Sequence, residues 1–554
     1  MPESFYPLLN IPGLLPEILL VAAGCAVLLM IGPSRRYVPW TALGAVIGAL
    51  ALLLWGAPHP GAGSGMRFTS AADFVRHATL VVGALLTLIA FAQPRDDERG
   101  EFFSMMLFSL AGLMLLGGAS DLVLLFVALE LVSIPTYVLV VLSRHNERSL
   151  EAGTKYFYLG AMAAAVTAYG FSFLYGVAGS ADLGRVATAV TAALAAPGTV
   201  PHAFAVAGLM LSLAGLFFKI AAVPLHLYIA DVYEGAASSV AGLLGFVPKL
   251  AGIVAIVKMI EAAGWSTDRG ALFWTLWLCA ALSMTIGNVL ALRQHSIKRM
   301  LAYSGIAHSG YMLVGLMAAG LYAREGSQVG GLMADGPGAV FYYAVAYGIA
   351  NLCAFAVLGA LRIRGAACET VRDVAGLLRR QPALALILVI AMFTLMGLPP
   401  TPGFWGKLSL FGSAWSAAAS APADVQWWIG ALVILAVVNS AIGAAYYLRV
   451  IAACILYESD EPADAIPAQT PQFGATMAGV LLLIYSFFPN PLLMMSRTAT
   501  RDLRDPLGFV VAAPANARSV ARLEPAAGSP DRDPRSSMLD AHSAAGPAAA
   551  PSAR

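Results

Sequence analysis

Six lysines stand in this chain against twenty-seven arginines, and the two cations are distributed differently. Lys219, Lys249 and Lys407 fall within long apolar runs, Lys155 opens such a run, Lys258 closes one, and Lys298 reads as a loop residue. Arginine is concentrated between the runs. A guanidinium keeps its proton at any accessible pH, whereas a buried ammonium can lower its proton affinity and exchange the proton. Permanent charge suits a topological anchor; a charge that can leave suits proton transfer. A charge at the bilayer centre costs at least about 2.5–3.5 kcal/mol on insertion scales, so three such lysines are hard to explain as packing.

Glu130 lies in the middle of another apolar run, DLVLLFVALELVSIPTYVLVVL. A carboxylate there must be neutral or paired, and Lys219 is the expected partner. The two would titrate as one coupled site, unless they are a fixed pair that merely ties helices together. Lys155 has two readings: it snorkels to the interface, or it is buried in the first turn of KYFYLGAMAAAV and joins the proton-transfer set. Lys258 reads as an interfacial anchor. His226 and His308 are candidate relays, since imidazole titrates near neutral pH; the plain alternative is a satisfied hydrogen-bonding residue. Asp231 and Glu234 read as interfacial caps.

The elements carrying these side chains must be spanning helices. The chain has 554 residues, 59% hydrophobic and 12% charged, where a soluble domain has about 25% charged residues. A span needs roughly 20 mostly apolar residues. Fourteen segments between 13 and 495 meet that template, and strand-like alternation is absent, so the expected class is an all-α polytopic membrane protein. The N-terminus lacks the positive n-region of a secretory signal and reads as a retained first span. Loops after odd-numbered spans hold fifteen basic residues and those after even-numbered spans five. Odd loops are therefore expected in the cytoplasm and both termini outside. The expected divisions are a three-helix segment over 1–101, a first repeat over 102–262, a second over 271–457, a last span over 472–495 and a disordered tail over 497–554.

Two spans look interrupted. The seventh, FFKIAAVPLHLYIADVYEGA, has Pro224 soon after Lys219; the twelfth, FTLMGLPPTPGFWGKLSLF, has Pro399, Pro400, Pro402 and Gly403 before Lys407. Proline removes a helix donor and clashes with the preceding turn. The breaks lie five spans apart, an odd offset that inverts topology, and inverted repeats with matching broken helices mark transport pathways near the midplane. Ordinary kinks are the plain alternative. The macrodipole should favour Lys219 at the end of its first half-helix and disfavour Lys407 early in its second. Net charge of +2 gives no nucleic-acid signature. Five scattered cysteines without a CxxC pair offer neither a metal site nor a disulfide framework. No dinucleotide fingerprint, Walker loop or iron–sulfur set is found, so redox and ATP chemistry are expected elsewhere.

Taken together, LLFVALELVSIPTYVLV, FFKIAAVPLHLYIADVYEGA followed by VPKLAG, IKRMLAYSGIAHSGYMLVG and GLPPTPGFWGKL resemble the antiporter-like membrane subunits of respiratory complex I. DVYEG and the lysine of GFWGKL are most similar to the branch that includes mitochondrial subunit 2. The resemblance covers about residues 13–495. It implies fourteen helices with two inverted five-helix bundles, spans 4–8 and 9–13. It places the family's proton-transfer residues on Glu130, Lys219, Lys249, Lys407 and, in the sixth helix, Lys155. It also implies a bacterial inner membrane, other complex I subunits as partners, and flavin, iron–sulfur clusters and quinone on those partners, with no cofactor in this chain. The second repeat departs from simple symmetry, for its tenth span has no glutamate equivalent to Glu130. Two other functions remain open on the residues: a cation/proton antiporter component of the same fold, and a scaffold whose charges are fixed pairs.

Overall fold

The computed structural model of the protein describes residues 11–55, 66–144, 146–265, 270–322, 335–419, 421, 423–458 and 463–504. Three helices come first, α1 (Ile11–Leu28), α2 (Val38–Leu54) and α3 (Ser70–Ala90). A bundle follows: α4 (Arg99–Gly118), α5 (Leu122–Leu142), α6 (Glu147–Ala178), the short α7 (Leu183–Leu194), α8 (Val200–Lys219), α9 (Ile229–Gly235) and α10 (Ser238–Ala262). The next comprises α11 (Ala271–Leu292), α12 (Ile297–Tyr322), α13 (Gly336–Ala360), the one-turn α14 (Leu377–Arg380), α15 (Pro382–Met396), α16 (Pro402–Ala419) and α17 (Ala423–Leu456). Two further helices are α18 (Gln469–Phe487) and α19 (Asn490–Arg504).

All fourteen predicted segments fall on helix, and eleven described helices are long and apolar enough to cross a membrane unbroken. The other three differ for physical reasons. The apolar stretch of α1 is short, the twelfth segment is split into α15 and α16, and α12 carries Lys298, Arg299, Ser304, His308 and Ser309 along its length. Helix starts follow local chemistry: Asp121 and Asn146 accept the Leu124 and Ser149 amides at 2.7 and 2.9 Å, capping α5 and α6.

The same order of neighbours recurs five spans later. In the first bundle α4 packs on α5, α5 on α6 and α6 on α8, while α10 closes on α4, α5 and α8. In the second α11 packs on α12, α12 on α13 and α13 on α15 and α16, while α17 closes on α11, α12, α15 and α16. Helices α10 and α13 pack on each other along the middle of the chain. The most apolar window of each is 100% buried, against 33% for α2 and α17, which face outward.

Both predicted breaks are present. Helix α8 stops at Lys219 and nine residues pass before α9; α15 stops at Met396 and α16 begins at Pro402. A cis X–Pro bond stands in each, Val223–Pro224 and Pro399–Pro400.

Several expectations need correction. The all-α class holds, with one small addition: β1 (Leu361–Ile363), β2 (Ala366–Ala367) and β3 (Asp464–Ala465) form a small sheet in the order β2-β1-β3 outside the apolar segments. Helix α7 was not expected, being too short for a span. Arg76, counted with a loop, lies buried in α3 and grips Glu17 of α1 through Nε–Oε1 (2.6 Å) and Nη2–Oε2 (2.8 Å). Helix α19 continues through Arg504, so the first residues of the expected tail are helical. The rest of that tail, 505–554, lies outside the described residues, as do 1–10, Arg269 and Arg324.

Candidate functional site

Lys219 is the last residue of α8, where the carbonyls at the helix end favour a cation. Its Nζ donates to Glu130 Oε1 (3.1 Å) and to Ser133 Oγ (2.6 Å), both on one face of α5. The Lys219 and Glu130 side chains are 5% and 18% exposed. Removing two ions from water is costly, and their attraction offsets that cost only with good geometry and further hydrogen bonds. Ser133 supplies one such bond and donates its own hydroxyl hydrogen to the Leu129 carbonyl at 2.7 Å. The expected pairing of Glu130 with Lys219 is therefore present.

Lys249, buried in α10, donates to the Gly305 carbonyl (2.5 Å) and Ser309 Oγ (3.0 Å) of α12. Ser309 Oγ lies 2.5 Å from the carbonyl of Ile220, the residue next to Lys219. One hydroxyl thus joins the lysine of α10 to the break after α8. Within that break Ala221 has φ of +54°, a left-handed conformation costly for any side chain.

Beyond Lys249 the row continues through aromatic side chains. Its Nζ lies 4.8 Å from the centre of the Tyr347 ring, and the His308 ring lies 4.7 Å from the same ring. His308 meets a hydroxyl on each side, Tyr343 at Nδ1 (2.6 Å) and Tyr447 at Nε2 (2.9 Å), and Tyr447 reaches Ser304. Tyr311 stands edge-on to His308 at 5.7 Å, and Lys407 Nζ lies 5.1 Å from the Tyr311 ring centre. Glu130, Lys219, Lys249, His308 and Lys407 thus form one row across both bundles.

Lys407 overturns the dipole expectation. It lies early in α16, yet its side chain turns back so that Nζ donates to the Leu395 (3.1 Å) and Met396 (2.8 Å) carbonyls at the C-terminal end of α15, and to Ser440 Oγ (2.9 Å). Both Lys219 and Lys407 therefore sit at the negative end of a first half-helix. The difference lies in the partner: Lys219 has a carboxylate, Lys407 three neutral oxygens and a ring. Lys407 also lines a crevice of about 380 Å³ with Met396, Leu398, Phe404, Phe411 and Ser440.

The other candidates fall off this row. Lys155 is 43% exposed and pairs with Glu151 (2.7 Å) and Asp231 (2.8 Å). Asp231 and Glu234 are not simple caps, because Arg299 bridges them at 3.0 and 2.8 Å. His226 lies in the break between α8 and α9, and its Nδ1 makes no hydrogen bond of ordinary geometry. Lys258 bonds the Ala119 carbonyl after α4 at 2.7 Å, as an anchor at a helix end would.

Lys298 is no loop residue: it lies in α12, its side chain 0% exposed, bonded to the Ala236 carbonyl (2.9 Å) and 3.5 Å from Glu369. Arg144 pairs with the same Glu369 at 2.7 Å. Burial would raise the Glu369 carboxyl, but Lys298 and Arg144 together outweigh it and hold it below its usual range. Sequence reasoning also missed Ser133, Ser309, Tyr311, Tyr343, Tyr347 and Tyr447. Only the one-face spacing of Glu130 and Ser133 carried a signal.

The family model described as NADH:quinone oxidoreductase/Mrp antiporter, TM, matches residues 119–425. Fold and site together define an antiporter-like membrane protein built of paired helical bundles. NADH-quinone oxidoreductase subunit N of Trichlorobacter lovleyi is 34% identical over 513 residues, 90% of this chain and 98% of that relative. A chain of respiratory complex I from Thermus thermophilus with bound aureothin superposes with a TM-score of 0.70 at 31% identity, covering 86% of this chain and 98% of that one. A chain of the Mrp complex from a Dietzia species gives a TM-score of 0.71 at 20% identity over 91% and 97% of the two chains, a likeness of fold alone. The chain belongs to the NADH-quinone oxidoreductase subunit N family.

Proposed function

We propose that this chain is a proton-translocating subunit of respiratory complex I in a bacterial inner membrane, beside other antiporter-like subunits. It carries protons along Glu130, Lys219, Lys249, His308 and Lys407 while quinone is reduced on partner subunits. Flavin, iron–sulfur clusters and quinone belong to those partners, and this chain holds no redox group. Lys155 serves the cytoplasmic approach to the row, His226 is a relay in the break, and both termini face the periplasm.

The observation carrying this reading is the row itself: three buried lysines joined across two bundles by hydroxyls, carbonyls and rings. Lysine can give up its proton in such surroundings. A fixed scaffold would need partners of permanent opposite charge, and among the described residues the hydrogen-bond partners of Lys249 and Lys407 are carbonyl and hydroxyl oxygens.

The test is Lys219→Ala and Lys249→Ala in the intact complex, reading NADH-driven proton uptake by inverted membrane vesicles alongside assembly. Lost uptake with the complex assembled is the expected result. Unchanged protons per electron would sink the proton-carrier reading. Co-purification with the flavin and iron–sulfur subunits is expected; purification without them would favour a free-standing antiporter.

A further inference from the structure

The first bundle holds charge at two depths. Outermost is the half-exposed Lys155–Asp231 pair; deeper lie Glu130, Lys219 and Ser133. Three tyrosines stand between. Tyr156 follows Lys155 directly in α6, Tyr228 lies three residues before Asp231, and Tyr137 stands one turn beyond Ser133 on the Glu130 face of α5.

Their rings form a closed stack. Tyr156 lies parallel to Tyr228 at 5.2 Å and 7°, Tyr228 stacks on Phe218 at 4.2 Å, and Tyr137 meets Tyr156 edge-on at 4.6 Å. None of the three tyrosines is more than 5% exposed. An open column of water is therefore blocked between the two depths.

The hydroxyls are not equivalent. Tyr228 donates to the Phe218 carbonyl at 2.7 Å, and Thr136 reaches the Tyr156 hydroxyl at 3.5 Å. The Tyr137 hydroxyl interacts with Ser133 yet closes no hydrogen bond of ordinary geometry. A buried polar group left in that condition costs about 1–3 kcal/mol, which a phenylalanine would avoid. The fold also makes room for it: a Cβ added at Gly160 would stand 2.1 Å from the Tyr137 hydroxyl oxygen.

We propose that Tyr137 is a proton-relay residue between the Asp231–Lys155 end and the Glu130–Lys219 pair, set in an aromatic stack that excludes bulk water. Its oxygen accepts a proton on a lone pair from a water on the Tyr156 side, and the Lys155 ammonium returns a proton to that water. It releases its own proton to the Ser133 oxygen, and the Ser133 hydroxyl gives up its proton to Lys219 Nζ, 2.6 Å away, when that amine is neutral. Water, tyrosine and serine each end neutral; Lys155 ends as the neutral amine and Lys219 as the ammonium, so one positive charge has moved inward. The inference rests on the proton-transfer reading of Glu130 and Lys219.

The test uses the assembled complex in inverted vesicles, with Tyr137→Phe, Gly160→Ala and their double variant beside Lys249→Ala. Tyr137→Phe keeps the ring and removes the hydroxyl. Proton uptake should slow by on the order of a hundredfold, the lower range for a positioned acid–base group, and the solvent deuterium isotope effect should change. Gly160→Ala should also slow uptake by displacing the hydroxyl, and adding Tyr137→Phe should not restore it. If the double variant recovers, the hydroxyl matters only as packing and the relay is overturned. Unchanged uptake in Tyr137→Phe overturns it too. If Lys249→Ala pumps normally, the underlying reading fails instead.

Discussion

At the scale of single residues, the contrast between Arg76 and the lysines explains the chemistry. Arg76 meets Glu17 in a two-pronged grip with a further bond to the Gly13 carbonyl at 2.6 Å, the geometry of a permanent tie. Lys249 and Lys407 have neutral oxygens and one ring face each. Their sites accept a charge without fixing it. Lys249→Arg should therefore assemble yet abolish NADH-driven proton uptake, because the guanidinium holds its proton. Wild-type uptake in that variant would contradict the exchange role. At Lys407, Tyr311→Leu should impair pumping more than Tyr311→Phe, since a ring face is worth about 0.5–2 kcal/mol to an ammonium. Equal effects in vesicle assays would remove the ring from the account.

At the scale of elements, both lysines beside a break lie at the carbonyl end of a half-helix, and Lys407 bonds two of the carbonyls that its break frees. Gly397 makes the second break possible in two ways. It caps α15 at φ +86°, and Lys407 crosses over it so closely that an added Cβ would lie 2.9 Å from Cδ. Gly397→Ala should lower stability by roughly 1–2 kcal/mol from the left-handed backbone alone. It should also displace Lys407 and reduce pumping, read by thermal unfolding in detergent together with vesicle uptake. Both breaks were legible, because Pro224, Pro399 and Pro400 cannot continue a helix. Where Lys407 points was not legible: a side chain early in α16 reaches the end of α15 only because the chain between them folds back.

At the scale of the whole molecule, the two bundles are tied by ions as well as by the α10–α13 packing. Glu369, beyond α13, meets Lys298 of α12 and Arg144 beyond α5. Arg299 of α12 meets Asp231 and Glu234 of α9. Glu369→Gln leaves Lys298 buried without its carboxylate and should destabilise the protein by up to about 3–5 kcal/mol, less for the partial exposure of Glu369. Because the folded-state carboxyl is held below its free value of 4.5, its contribution is full above that pH and fades as pH falls through the lower folded value. Thermal midpoints of parent and variant should therefore differ near neutrality and converge in acid. A constant difference would mean the carboxylate charge is not what stabilises.

What the sequence by itself determined is the material and its division: apolar length for the spans, arginine for most of the loops, Glu130 and three lysines within the apolar runs, and proline for the two breaks. These are local properties, set by hydropathy, pKa chemistry and backbone sterics. Tertiary structure alone decided which oxygen or ring each lysine meets. Ser309, which bonds Lys249, also bonds Ile220 89 positions away in the chain, and the Tyr347 and Tyr311 faces are supplied by helices other than those carrying the lysines. Such partners depend on which helix faces touch, and in a chain so uniformly apolar no periodicity records that. The same reason hid Lys298, for a lysine at a predicted loop edge looks alike whether it meets water or a buried glutamate.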